Sequence, residues 1–495
     1  MNIREIENIL AKFLYDLETE DRLVRVGLKD KLESAKIYKK YERLFSQNTL
    51  EKIGNFRKEV SRKDKELTDR IYFTLVSGFV GQRVAPLEDL IKTYFANATT
   101  RLGSEKISYF EIAPKIAKET IFDKREKLDS AALAVVTKAN PKQLKLLIDE
   151  TSVIKDLGFK GYLHYFSESK KVNYDQFYKV IKKILKLTDK IWLKTMGRVS
   201  QEVLRKPFEN LNAVHMGYLR SLSMYDNFYP KEKVITAFTK FTNDLGLVDL
   251  LNNIKIDDAN RPKKNPRAVC YWPKPPSEVH LVIKPIGGEQ DFEAAFHEGG
   301  HALHGAAVSE SLPFTFRALS RSNALTEAYA FIFEDLIFDP VWLSTNLNVS
   351  AFTGNKILWQ ATFVNLMLLR RYLGKFSYEH GMFSKDDIKN GPKLYAKNLK
   401  DATGFVFNPS NWLSDMDSGF YSADYLRAWI GAAQIKDYVV KKFGKRWFEN
   451  IKAGEYFRSL YARGVTDELE DVVKRLGYGP WDISYLVENY KKVLG

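Results

Sequence analysis

The chain has 495 residues, and its 77 Lys and Arg against 62 Asp and Glu give a formal net charge of +15. With 45% hydrophobic and 13% aromatic residues it can bury a sizeable core, which excludes a disordered chain, while 28 Gly and 16 Pro exclude a collagen-like or low-complexity one. A single cysteine, Cys270, excludes an internal disulfide and a thiolate metal cluster and fits a reducing compartment.

Residues 1 to about 225 read as successive helices. Ile6, Leu10, Phe13, Leu14 and Leu17 recur at spacings of three and four, and the mixed charges of residues 1–7 fit an amphipathic helix rather than a secretory leader. Ala139-Asn140-Pro141 reads as a break between helices. Phe177, Val180, Ile181, Ile184 and Leu185 then alternate with Lys179, Lys182, Lys183 and Lys186, the pattern of a helix with an apolar face and a lysine face. The surplus positive charge is spread in this way rather than blocked. It reads as solvated surface, with no nucleic-acid or membrane partner expected.

From 257 to 276 the prolines Pro262, Pro266, Pro273, Pro275 and Pro276 rule out a helix. The run Val279–Pro285 predicts a strand, Gly287-Gly288 a turn, and Asp291 the N-cap of a helix. The rest is helical, with loops near Asn390-Gly391-Pro392 and from Pro409 to Gly419. Its longest apolar run, 357–369, is broken by Gln360 and Asn365, so it predicts a buried helix and not a membrane span. The expected fold is mainly α with one small sheet beside the central helix. A boundary near 225 separates a helical region, 1–225, from a second region, 226–495. A cytoplasmic location is expected.

Three of the seven histidines fall in His297-Glu298-Gly299-Gly300-His301-Ala302-Leu303-His304, an H-E-x-x-H motif. On a helix His297 and His301 project from one face and can hold one metal ion, with Glu298 placed to act on a water beside it. A zinc site needs a third protein ligand. Glu327, 26 residues after His301 at the start of a predicted helix, completes a His2Glu set for one Zn2+ per chain. Glu334 lies on the same face of that helix, where a carboxylate orients a ligating histidine. His304 and, on the preceding strand, His280 are further candidates for contact with substrate or ligands. Gly299 and Gly300 cost the helix about 1 kcal/mol each relative to Ala, which predicts a close approach to its backbone.

These residues resemble the thimet oligopeptidase and oligoendopeptidase F family of zinc peptidases. The resemblance runs from Arg267 through the strand and the H-E-x-x-H helix to Thr326–Glu334, and returns in Asp417-Ser418-Gly419-Phe420-Tyr421-Ser422-Ala423-Asp424-Tyr425. It implies a helical, clam-like fold with a deep channel, short unfolded peptides as substrates, and Zn2+ on His297, His301 and Glu327. It further implies Glu298 as general base, Tyr421 and Tyr425 as contacts to substrate and reacting carbonyl, and strand 279–285 as the sheet edge on which a peptide pairs. Gly299 stands where the family more often has a bulkier residue, and Ala428 near where some members carry a further tyrosine.

The carboxypeptidase Taq family has a similar fold and H-E-x-x-H arrangement, so a metallocarboxypeptidase is the alternative, with Arg321 and Arg427 as candidates to hold a terminal carboxylate. A basic nucleic-acid-binding or scaffold protein is the non-enzymatic alternative, and no recognition motif supports it.

Overall fold

The computed structural model describes residues 2–261 and 263–495, with the backbone alone for Lys63, so Met1 and Pro262 lie outside the described residues. Its secondary structure is mainly helical, as the periodicity predicts. The chain forms two compact units: one of residues to Ala85, Tyr225–Ile357 and Arg427–Asp482, the other of Pro86–Met224, Leu358–Leu426 and Ile483–Gly495. The boundary expected near 225 is one of five crossings. Three others fall inside the helices Arg62–Asn97, Ala351–Phe383 and Tyr421–Phe443, where no break in hydrophobic pattern marks them.

The first unit opens with helix Ile3–Arg25, started by a capping box between Asn2 and Glu5 and buried through Ile6, Leu10 and Phe13. Its sheet has three strands in the order Ile254–Asp257, Glu278–Val282, Val269–Lys274. Strand Glu278–Val282 pairs on both sides, parallel to the first and antiparallel to the last. It is therefore the central strand, which corrects the expectation that 279–285 is an edge. Val279 and Leu281 on one face and Val282 on the other are buried, so both faces of this strand are covered. Helix Glu289–Ala307 follows, and helix Ala324–Glu334 packs along it. Beneath them Phe241, Phe296, Phe333 and Trp447 form a fully buried aromatic layer with ring centroids 5.0 to 6.5 Å apart.

The second unit holds the lysine-faced helix Tyr174–Val199, with Phe177, Ile181 and Ile184 buried and the four lysines exposed. Helix Phe122–Asp156 runs unbroken through Pro141, against the predicted break, because Val135, Val136, Ala139 and Leu147 keep one buried face on both sides of the proline. A second small sheet was not expected. Strands Thr99–Leu102 and Glu105–Ser108 form a hairpin whose turn has Gly103 at φ 63°, a conformation glycine adopts without strain. Among the described residues no helix is long and apolar enough to cross a membrane.

Candidate metal centre

The H-E-x-x-H helix starts at Glu289, two residues before the predicted Asp291. Gly287 and Gly288 hold φ of 101° and 104°, and the first free N–H of the helix, on Glu289, donates to Asp226 Oδ1 at 3.0 Å. Asp291 instead reaches backwards: its Oδ2 accepts from the backbone N–H of Ile286 at 2.7 Å and of Gly287 at 2.5 Å, pinning the strand-to-helix turn. Phe292, Ala295, Phe296, Ala302 and Leu303 are fully buried on the core side of the helix.

The paired glycines have the predicted explanation, a close approach. A Cβ on Gly299 would lie 2.2 Å from the ring of Phe238, and one on Gly300 would lie 2.9 Å from Cα of Ala330. Gly300 thus lets the helix that carries Glu327 lie against the helix that carries the histidines.

His297, His301 and Glu327 converge, with one ligand atom of each within 4.8 Å of the others. Glu327 Oε2 lies 3.3 Å from His297 Nε2 and 3.7 Å from His301 Nε2. A tetrahedral ion with bonds of about 2.0–2.1 Å separates its donors by about 3.4 Å, so the two spacings fit such an ion with little adjustment. His297 Nδ1 meets Glu334 Oε2 at 2.6 Å, which leaves Nε2 facing the donor cluster. The carbonyl of His301 accepts from Trp272 Nε1 at 3.1 Å, and Phe331, itself stacked on Trp429, lies 5.3 Å from the His297 ring. Glu298, next to His297, is half-buried.

Burial alone would raise the Glu327 carboxyl, but the charges of His301 and His297 override it and hold its pKa well below the usual range. Burial favours neutral His297, yet Glu327 and Glu334 together pull its pKa well above the ordinary value. Burial pushes Glu334 up to about 7 against the pull of His297. Two carboxylates, Glu327 buried and Glu334 part-buried, thus flank one imidazole, and His2Glu is a donor set suited to Zn2+.

The other expected residues lie on other elements or other faces of their own units. His304 is fully buried, donates to the Gly464 carbonyl at 3.1 Å and packs on Trp272, Tyr329 and Tyr461; burial drives its pKa down to about 3, so it is a neutral core residue. His280 pairs with Glu278 at 2.8 Å on the central strand. Tyr421 and Tyr425 belong to the second unit, their rings 4.9 Å apart, with Tyr372 5.2 Å from Tyr425. Both candidate arginines are themselves buried and engaged by carboxylates: Arg321 with Glu66 at 2.7 Å and Asp69 at 3.2 Å, Arg427 with both oxygens of Glu470 at 2.8 and 2.7 Å. Arg427 also bonds Ser322, and Arg70 holds the Leu319 carbonyl, so this ionic frame anchors the segment that leads into the Glu327 helix. Nothing in the sequence joins these partners, which lie 43 to 255 positions apart.

Fold and donor set together define a mainly helical protein with a candidate His2Glu metal centre. No family model and no curated protein matches the sequence. Solved structures do match. A protein assigned as oligoendopeptidase F from Bacillus anthracis str. Ames superposes with a TM-score of 0.63 at 14% identity, over 96% of this chain and 84% of that one. PZ peptidase A, solved with an inhibitor, superposes with a TM-score of 0.69 at 13% identity, over 93% of this chain and 86% of that one. The chain therefore has the fold of these peptidase structures, as the resemblance implies.

Proposed function

We propose that the protein is a zinc-dependent oligopeptidase that hydrolyses internal bonds of short unfolded peptides. The observation that carries this reading is the convergence of His297, His301 and Glu327 at spacings that suit one tetrahedral ion, on the fold of oligoendopeptidase F and PZ peptidase A. When bound, Zn2+ acidifies a water and polarises the scissile carbonyl. The remaining chemistry belongs to side chains. Glu298 takes the proton of the attacking water and delivers it to the leaving amine. Glu334 holds the His297 ring in one tautomer. Tyr425 and Tyr421 supply hydroxyl donors to the reacting carbonyl.

The metallocarboxypeptidase alternative needs a cation that can take a terminal carboxylate. Arg321 and Arg427, its two candidates, are committed to Glu66, Asp69 and Glu470, which favours the endopeptidase reading. The test is cleavage of a C-terminally amidated peptide by wild type and by Glu298→Gln. Wild type should cut internal bonds, and Glu298→Gln should keep its metal and lose a factor of about 100–10,000 in rate, the scale of general acid–base catalysis. Residual hydrolysis within tenfold of wild type would remove the general-base role. Release of single C-terminal residues from free but not amidated peptides would favour the carboxypeptidase.

A further inference from the structure

The segment Asp417–Tyr425, in the second unit, sits on a cluster of buried charge that the proposed chemistry does not use. Helix Ala351–Phe383 presents Arg371, Lys375 and Glu379 at four-residue spacing, hence on one face. Lys375 and Glu379 are 3% and 1% exposed. Glu379 Oε1 accepts the backbone N–H of Asp417 at 3.0 Å, and its Oε2 lies 2.5 Å from Ser422 Oγ. Lys375 pairs with Asp417 at 2.7 Å, and Arg371 pairs with Asp415. From the other side Lys170 meets the fully buried Asp424 at 2.7 Å.

The backbone held by these contacts is strained. Gly419 and Phe420 are consecutive left-handed residues, at φ 67° and 56°, and for phenylalanine that conformation is unfavourable. A Cβ on Gly419 would lie 2.9 Å from the Phe166 ring, and the Gly419 N–H donates to Tyr162 Oη at 2.7 Å. Phe420 is 1% exposed against Tyr174, Phe383 and Tyr162, at centroid distances of 4.6, 5.6 and 5.8 Å. Tyr421 comes directly after this turn and Tyr425 one helical turn later.

A buried ionic cluster gains little stability over an apolar core of the same volume, but it admits few geometries. Two cations, Arg371 and Lys375, balance Asp415 and Asp417. Glu379 is then the surplus acid, and burial with the neighbouring Asp417 charge pushes its carboxyl up to about 8. A neutral Glu379 still serves both neighbours, accepting from Asp417 and bonding Ser422.

We infer that Glu379, with Lys375 and Ser422, is a positioning residue: it fixes the strained turn at Gly419-Phe420 so that Tyr421 and Tyr425 present their hydroxyls in one orientation. This rests on the proposed role of the two tyrosines. A residue needed only for the integrity of the unit would act whether or not those hydroxyls are present, so a double-mutant cycle separates the two roles.

The experiment measures kcat, KM and bound zinc for the full chain on an internally quenched peptide. The variants are Glu379→Met, Glu379→Gln and the double variant Tyr421→Phe/Tyr425→Phe, alone and combined. Methionine fills the site but leaves Ser422 and the Asp417 N–H without an acceptor, whereas glutamine can serve both. Glu379→Met should lower kcat roughly ten- to hundredfold by misplacing the tyrosines, with KM and zinc content near wild type. Glu379→Gln should stay within about twofold of wild type because both hydrogen bonds persist. In the background lacking both hydroxyls, Glu379→Met should have almost no further effect on kcat. Equal losses in the two backgrounds would overturn the positioning role and leave the tyrosines in place. An unchanged kcat in the tyrosine double variant would overturn the tyrosine role and this inference with it. If Glu379→Met does not fold, Ser422→Ala removes one of the two bonds to Glu379 and runs the same cycle with the same two outcomes.

Discussion

Gly300→Ala tests whether helix spacing sets the metal centre. The added Cβ would stand 2.9 Å from Cα of Ala330 and 3.4 Å from the Phe333 ring. Carbon contacts settle near about 3.5–4.0 Å, so the two helices must part there by roughly 0.6–1.1 Å. Ala330 lies about one turn from Glu327 and one turn from Glu334, so the shift carries both carboxylates away from His297. The donor spacings of 3.3 and 3.7 Å then open beyond the span of a tetrahedral ion, where ligand distances tolerate only about ±0.2 Å. Zn2+ affinity should fall at least about tenfold, or about 1.4 kcal/mol. Stability of the metal-free protein should change by about 0–2 kcal/mol, an overpacking cost of about 1–3 kcal/mol offset by about 1 kcal/mol of helix propensity. Gly299→Ala is the control. Its Cβ would meet the fully buried Phe238 ring at 2.2 Å, on a helix that carries no ligand, so the cost should fall on stability and not on affinity. Competition with a chromophoric chelator reads affinity, and urea unfolding of metal-free protein reads stability. Wild-type zinc affinity in Gly300→Ala together with lowered stability would refute the reasoning.

Two further outcomes follow from the same geometry and from burial. Glu334→Gln removes the charge that orients His297 and should weaken zinc binding about 10–100-fold, read in the same competition assay; unchanged affinity would mean that Glu334 does not support the ligand. Burial, with Glu88 nearby, pushes the Glu150 carboxyl up to about 7 from a usual 4.5. A raised carboxyl pKa means that the folded state prefers the protonated form, so this contribution is full below about pH 4.5 and is lost as pH rises through about 7. Thermal unfolding should therefore show Glu150→Gln gaining on wild type across that window and levelling above it, and a constant difference from pH 4 to 8 would contradict the assignment.

The parts of the site that depend on local spacing were legible in the sequence. The four-residue step from His297 to His301 fixes one helix face, and Glu327 with Glu334 marks one face of a later helix. The Gly299-Gly300 pair signals a close approach without saying to what, because Phe238 and Ala330 arrive through tertiary packing. Long-range features were not legible. The order of the sheet makes Glu278–Val282 central through a parallel partner at Ile254–Asp257 that lacks a strong strand pattern. Pro141 looked like a terminator because a single proline says nothing of the buried face that carries the helix past it. The position of Arg321 and Arg427 near the motifs does not reveal their structural role, because their partners Glu66, Asp69 and Glu470 come from distant segments. The hairpin at Thr99–Ser108 has only Gly103-Ser104 as a turn cue, and its second strand carries a single β-branched residue, Ile107, a weak signal beside the long helices around it.

The proposed chemistry stands on His297, His301 and Glu327 forming one metal site. Elemental analysis after dialysis against limiting free Zn2+ tests it most directly, on wild type and Glu327→Ala side by side. Wild type should hold one zinc per chain and Glu327→Ala a small fraction of that. One zinc per chain in Glu327→Ala, or none in wild type, would contradict it.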